Sequence, residues 1–344
     1  MKIQHAYCCP QHKSAVVSVL DEMTRRGHEV VEVRLEHDDV TKRKKGFEDV
    51  DITNSDLFLC SYPRIMKMNE GGGWKHGARK SVCIEHGLNP IAWAFPLDRH
   101  KLFDVICCPN KWQMKHAGEV KGRCKLTGWG KLDKLPEMRK DRELAKKRLS
   151  EQCNEVIDFD KPIIAWIPTH GGAWKRTDEM MNLGIQNLVI APHESRYNQF
   201  REDMQINYEK DYPYYVETTN IYDVISAADV VITDYSSAGI EALVCEDLPI
   251  IQILTDVKLH NRDQFRPLEK GYYSLSQKDD RVFKLGANVA NMGKLVGEIE
   301  KAIADPTGYW KEERDYWRKE LLHDVGNATK NCCDFIEKVL QSKA

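Results

Sequence analysis

The stretch ITDYSSAGIEA, residues 232–242, carries the densest set of groups able to do chemistry. A β-branched run ends at Asp234, and Ser236 and Ser237 fall where a helix should begin. Glu241 comes about one turn later. Free N–H groups and a partial positive charge at a helix start, joined by two hydroxyls, suit a phosphate. A carboxylate one turn on can accept hydrogen bonds from a ribose diol. A serine N-cap followed by a surface glutamate is the plainer reading of the same residues.

Other candidate groups also sit just after strand-like runs. In VCIEHGLNP, 82–90, His86 and Gly87 follow one such run. A histidine there can take a proton from a hydroxyl near neutral pH, and glycine lets a ligand approach the backbone. In LVIAPHESR, 188–196, His193 is placed to meet a donor phosphate or a leaving group. WIPTHGGAWKR, 166–176, supplies Thr169 and His170, two glycines, and then Lys175 and Arg176, a combination suited to a diphosphate. LTGWGKLDKL, 126–135, places Gly128 and Lys131 on what would be the acceptor side.

The elements that must position these groups follow an α/β rhythm. MKIQHAYCC reads as a strand, KSAVVSVLDEMTRRG as a helix stopped by Gly27, and HEVVEVRL as a second strand. Strand runs recur at 56–60, 81–85, 104–108 and 123–128, and then at 162–168, 187–193, 214–219, 229–234 and 249–254. Between the two sets lies a charged helix and a polar turn. The expected organisation is an N-terminal Rossmann-like acceptor domain over 1–135, a linker over 136–160, and a Rossmann-like nucleotide-donor domain over 161–310. The helical segment 311–344 is expected to pack back on the first domain. Two doubly wound domains facing a central cleft would bring the carboxyl ends of both sheets to one ligand site.

The bulk properties of the 344-residue chain fit this reading. Hydrophobic residues make up 42%, charged residues 30%, and the net charge is −2. No global positive field favours nucleic acid, which is therefore a disfavoured partner. No apolar run reaches the roughly 18 residues that span a bilayer. The expected location is the cytoplasm, with the basic runs TKRKKG, DRHK and KGRCK permitting peripheral association with the inner face of the membrane. The 11 cysteines include three adjacent pairs but no C-x-x-C, and they read as reduced core thiols. There is no H-E-x-x-H, no G-x-G-x-x-G after the first strand and no P-loop ending. Neither a metal nor another cofactor is expected.

Taken together, the motifs resemble the CDP-glycerol glycerophosphotransferase family, built on the GT-B architecture. The resemblance rests on His86-Gly87, on TGWGKLD, on IAWIPTHGG, on Asp234 to Ser237 with Glu241, and on DVGNATKNCCDFI. It departs from that family where Glu85 replaces the usual Trp and where His193 follows Pro192 instead of preceding a proline. The resemblance implies His86 as base, Ser236 and Ser237 on the donor phosphate, and Glu241 on the ribose. His193 with Lys175 or Arg176 would balance the leaving charge.

The expected activity is transfer of a glycerophosphate-like or glycosyl group from a nucleotide-activated donor to a glycan, polyol-phosphate or lipid-linked acceptor hydroxyl. With a CDP-polyol, attack falls at phosphorus and CMP leaves. With a nucleotide sugar, attack falls at the anomeric carbon. A UDP-sugar glycosyltransferase, a UDP-sugar 2-epimerase on the same scaffold and a non-catalytic nucleotide-binding module are the rival readings.

Overall fold

The computed structural model describes residues 1–7, 13–34, 55–61, 63, 78–85, 87–88, 98–115, 117–153, 155–168, 176–192, 214–216, 221–234, 236–245, 248–253 and 284–341. Two compact units emerge. The first comprises Met1–Lys134 with Lys319–Ala344, and the second comprises Leu135–Arg318.

The first unit opens with strand β1 (Lys2–Tyr7), helix α1 (Val17–Arg25) and strand β2 (Glu29–Arg34). Val19, Leu20 and Met23 form the buried stripe of α1 at helical spacing. The helix ends before Gly27, whose φ of 86° is a left-handed conformation that glycine adopts without strain. Strands β3 (Leu57–Cys60), β4 (Lys80–Ile84), β5 (Val105–Cys108) and β6 (Cys124–Leu126) follow, with the five-residue helix α2 (Lys111–Lys115) between the last two. All pair in parallel, in the order β2-β1-β3-β4-β5-β6. The central strands are buried along nearly their whole length, as a parallel sheet covered on both faces requires. Phe58, Cys60, Cys83, Ile106 and Cys108 share one face with Phe103 and Val120.

The second unit begins with helices α3 (Leu135–Lys140) and α4 (Arg142–Ser150). Strand β7 (Ile164–Ile167), helix α5 (Thr177–Met181), strand β8 (Leu188–Ile190), helix α6 (Ile221–Ala227) and strand β9 (Val230–Thr233) come next. Helix α7 (Ser237–Ala242), strands β10 (Ile250–Ile253) and β11 (Ala287–Val289), helix α8 (Leu295–Ala304) and helix α9 (Lys311–Leu321) complete it. The sheet order is β11-β10-β9-β7-β8, again parallel. Its core gathers Trp166, Met180, Ile190, Ile232, Ile251, Leu295 and Ile299. The indole of Trp166 is fully buried and donates to Thr177 Oγ1 at 2.9 Å, which satisfies its one polar atom.

The structure departs from the sequence reading in several places. The stretch 136–160, expected as a linker, supplies α3 and α4, which belong to the second unit and pack on α6. Arg139 donates to Ala228 O at 3.1 Å and Arg142 to Ala227 O at 3.1 Å, so two cations cap the carbonyl end of α6. The segment 311–344 does not act as one block, because the division falls inside α9, after Arg318. In the expected strand 214–219, only Tyr215 forms a bridge, to Ile190; residues 217–219 lie outside the described residues.

The last helix, α10 (Ala328–Gln341), packs against α1 in the first unit. Cys332 Sγ lies 3.6 Å from Cys107 Sγ, and Arg26 reaches Asp334 at 2.8 Å and Glu337 at 2.9 Å. The nine described cysteines are all free thiols, seven of them buried, as the sequence reading expected of them. Burial pushes the Cys333 thiol up to about 12 and the Cys245 thiol up to about 11, so neither ionises near neutral pH.

Candidate active site

In an open parallel sheet, ligands bind beyond the carboxyl ends of strands where the strand order reverses. In the second unit that point lies between β7 and β9, because β7 pairs with β8 on one side and β9 on the other. Strand β9 is set from its start: Asp229 Oδ2 accepts the Ile163 amide at 2.9 Å, while Oδ1 pairs with Arg142. At its end, Thr233 Oγ1 donates to Ile167 O at 2.8 Å, which ties β9 to the last residue of β7. The chain then delivers Asp234, Ser236 and Ser237 to the edge.

Asp234 is fully buried, Glu241 is 3% exposed and Ser236 is 9% exposed. Two buried carboxylates flanking a serine are costly to desolvate, and such pairs persist where polar partners compensate them. Tyr222 on α6 is one partner of Glu241: burial first, and then the Glu241 carboxylate, push its phenol well above the usual range. The Ser236 side chain is the N-cap of α7 and accepts the Ala238 amide at 3.1 Å. An accepting hydroxyl still has its own proton to donate. Capping and ligand binding are therefore compatible at Ser236. Helix α7 is only six residues long, so the macrodipole expected from the sequence contributes little. Gly239 lets α7 lie close to β9, since a Cβ there would meet Thr233 Cγ2 at 2.9 Å and Leu285 Cδ1 at 3.0 Å.

Arg176 sits at the start of α5, pairs with Glu179 at 2.8 Å and reaches Ala290 O at 3.4 Å. Ala290 follows β11, two strands away from β9, about 10 Å by the usual strand spacing. Arg176 is thus directed to the β11 edge. Thr169, His170, Lys175 and His193, expected to complete the donor side, and His86 lie outside the described residues.

In the first unit, Gly87 is buried and its carbonyl accepts from Gln113 Nε2 at 3.4 Å. Gln113 is held in turn by Asn110, whose Oδ1 accepts the Gln113 amide at 2.8 Å. Glu85 is buried against His100, and the two side chains are in direct contact. Sequence reasoning missed Asn110, Gln113 and His100. Only the first had a local signal, an asparagine immediately before a helix. Cys83, Glu85 and His100 each offer one atom that could ligate a metal, all within 4.8 Å of one another.

The segment TGWGKLD takes a structural part. Gly128 has a φ of 82°, and a Cβ there would lie 2.4 Å from His323 O. The Asp133 carboxylate accepts from the amides of Gly326, Ala328 and Thr329, capping α10. Lys131 Nζ stands 5.1 Å from the ring centre of Trp129. Thus TGWGKLD and DVGNATKNCCDFI, two motifs of the sequence reading, hold one another.

Comparison with known proteins places these units in context. The two parallel sheets match the wall teichoic acid polymerase TagF with a TM-score of 0.64 at 11% identity, over 99% of this chain and 89% of that one. They match the UDP-GlcNAc 2-epimerase of Neisseria meningitidis at 0.59 and 12% identity, over 99% and 100% of the two chains. The fold is therefore the GT-B-like α/β fold expected from the sequence. Residues 113–337 match the family described as CDP-glycerol:poly(glycerophosphate) glycerophosphotransferase, and the chain belongs to that family of transferases. The matched stretch contains the Asp234–Glu241 site and starts after His86. A curated relative, the teichoic acid glycerol-phosphate primase of Bacillus subtilis (strain 168), is 30% identical over 155 residues. That alignment takes in 44% of this chain and 35% of the relative, so the chain spans about a third of the primase's length in the match.

Proposed function

We propose that the protein transfers a glycerophosphate-like group from a CDP-polyol, CDP-glycerol in the first instance, to an acceptor hydroxyl. The observation that carries this reading is the buried Asp234–Ser236–Glu241 constellation at the carboxyl end of β9, inside the stretch that matches the family. A TagF variant soaked with CDPG adopts the same fold, with a TM-score of 0.62.

In this reading Ser236 and Ser237 donate hydrogen bonds to the donor phosphates, and Glu241 accepts from the ribose hydroxyls. His86 removes the acceptor proton as the acceptor oxygen bonds to the β-phosphorus. The bond from that phosphorus to the bridging oxygen breaks, and CMP leaves with the electron pair. His193 and Lys175 offset the charge that develops on CMP. The acceptor is a polyol-phosphate, glycan or lipid-linked hydroxyl, reached from the cytoplasm at the inner face of the membrane. None of the described helices is long and apolar enough to cross a membrane. The reaction as proposed uses side chains alone, without a metal; loss of turnover in chelator, restored by a divalent cation, would count against that part.

The test is a donor panel of CDP-glycerol, other CDP-polyols and UDP-sugars, with the released nucleotide identified. CMP release that depends on acceptor and on His86 supports the reading. UDP release or sugar epimerisation transfers the protein to a rival class. Nucleotide binding without turnover reduces it to a binding module.

A further inference from the structure

The geometry points to Gln113 and His100 as positioning residues that fix the peptide on both sides of His86; this rests on the reading of His86 as base. In sequence, His86 comes two positions after Ile84, the last residue of β4. Its predecessor Glu85 is 5% exposed and in contact with His100, which is 1% exposed and belongs to the 3₁₀ turn Asp98–Leu102. Its successor Gly87 is buried, with its carbonyl accepting from Gln113 on α2. Leu88 beyond it is fully buried. The start of β4 is held as well, because Asp104 Oδ2 accepts both the Ser81 amide at 2.7 Å and the Ser81 hydroxyl at 2.8 Å.

These groups restrain Glu85 and Gly87, the two sequence neighbours of His86. The Glu85–His100 contact holds the side chain before His86. The Gln113 carboxamide holds the backbone after it, and the Asn110 cap on α2 holds Gln113 in place. His100 follows β4 in the chain and Gln113 follows β5, so Glu85 and Gly87 are fastened from two separate elements. A buried glutamine beneath a backbone carbonyl costs desolvation unless its geometry is kept, so it behaves as a fixed strut. Proton abstraction by a base needs its nitrogen within hydrogen-bond reach of the acceptor hydroxyl, and small displacements there cost rate more than affinity.

The experiment measures CMP release, thermal melting and separate kcat and KM values for wild type, Gln113→Met, His100→Leu, His100→Gln and His86→Ala. Gln113→Met keeps the side-chain length and removes the donor to Gly87. The expected result is a fall in kcat of about tenfold or more in Gln113→Met and His100→Leu, with the donor KM within about twofold. His100→Gln, which still donates to Glu85, should recover most of the loss, and it carries the comparison if Gln113→Met fails to fold. An inactive His86→Ala beside unchanged kcat in Gln113→Met and His100→Leu overturns the inference and leaves the base reading standing. So does a loss that appears only in melting temperature or only in KM. Full activity in His86→Ala overturns the base reading, and the inference falls with it.

Discussion

Asp133 Oδ2 accepts the backbone amide of Thr329 at 2.7 Å, across 196 positions of chain. Its other oxygen takes the amides of Gly326 at 2.8 Å and Ala328 at 3.1 Å. One side chain thus satisfies three of the donors left open at the start of α10. Asp133→Ala should destabilise the first unit by about 1–3 kcal/mol, and Asp133→Asn by less, since its amide oxygen can still accept. Denaturant unfolding followed by tryptophan fluorescence measures both. Equal stability of all three proteins would show that the cap contributes nothing.

Gly128 and Gly27 offer a matched pair. Both have a positive φ, 82° and 86°. A Cβ at Gly27 meets nothing within 4 Å, whereas one at Gly128 strikes His323 O and the Ala328 side chain, at 2.6 Å from its Cβ. Gly27→Ala should therefore cost only the left-handed conformation, about 1–2 kcal/mol. Gly128→Ala should cost at least about 3 kcal/mol, or leave the protein insoluble. Similar melting temperatures for the two variants would contradict this account.

His5 gives the fold an acid-sensitive point. It is fully buried on β1, its ring nitrogens meet no hydrogen-bond partner among the described residues, and it stacks on Tyr7. Burial, helped by nearby Lys13, lowers its pKa from 6.5 to about 3. The unfolded chain therefore binds the proton between those values while the folded chain does not. Stability should fall as pH drops from about 6.5 towards 3, by on the order of a few kcal/mol from this residue. His5→Leu should flatten that slope. The check is a set of unfolding curves from pH 7 to pH 4.5 for the two proteins.

At the proposed donor site the two serines should separate. Ser236→Ala removes both the cap of α7 and a proposed phosphate donor, so it should cost about 1 kcal/mol of stability as well as activity. Ser237→Ala, which leaves the Ser236 cap of α7 in place, should weaken CDP binding by about threefold to tenfold. Glu241→Gln should weaken CDP more than the corresponding deoxyribose nucleotide, because the loss falls on the ribose contact. Calorimetric titration with CDP and dCDP reads this directly. Equal losses for the two nucleotides would remove Glu241 from the ribose.

Much of this architecture is legible in the sequence because short apolar strands and stripes such as Val19, Leu20 and Met23 announce themselves by period. The strand-end position of Asp234 and Ser236 follows from the same reasoning. The grouping of 136–160 with the second unit is hidden in the sequence for a physical reason. Helices α3 and α4 are dense in Lys, Arg and Glu, and their buried side is narrow: Leu135, Ala145 and Leu149. Two of their arginines serve α6 as carbonyl caps, a use that composition does not distinguish from a solvated surface. Gln113 was equally hidden, because a glutamine in a five-residue helix has no periodic signature and its partner, Gly87, lies 26 positions earlier. The close approach of Gly128 to His323 and Ala328 is hidden in the sequence for a related reason. A glycine that meets a ligand and a glycine that meets another stretch of backbone look alike until the fold brings the second stretch in.

The return of α10 to α1 sets an order of events during synthesis. The sheet of the first unit is complete by Leu126, yet Cys332, Cys333 and Ile336, which are fully or nearly fully buried there, emerge some two hundred residues later. The second unit is contiguous, from Leu135 to Arg318, and can close as soon as it leaves the ribosome. The first unit must wait for α10 before the surface that buries these side chains is covered. A nascent chain halted before residue 328 should therefore hold a folded second unit beside a first unit that chaperones still recognise.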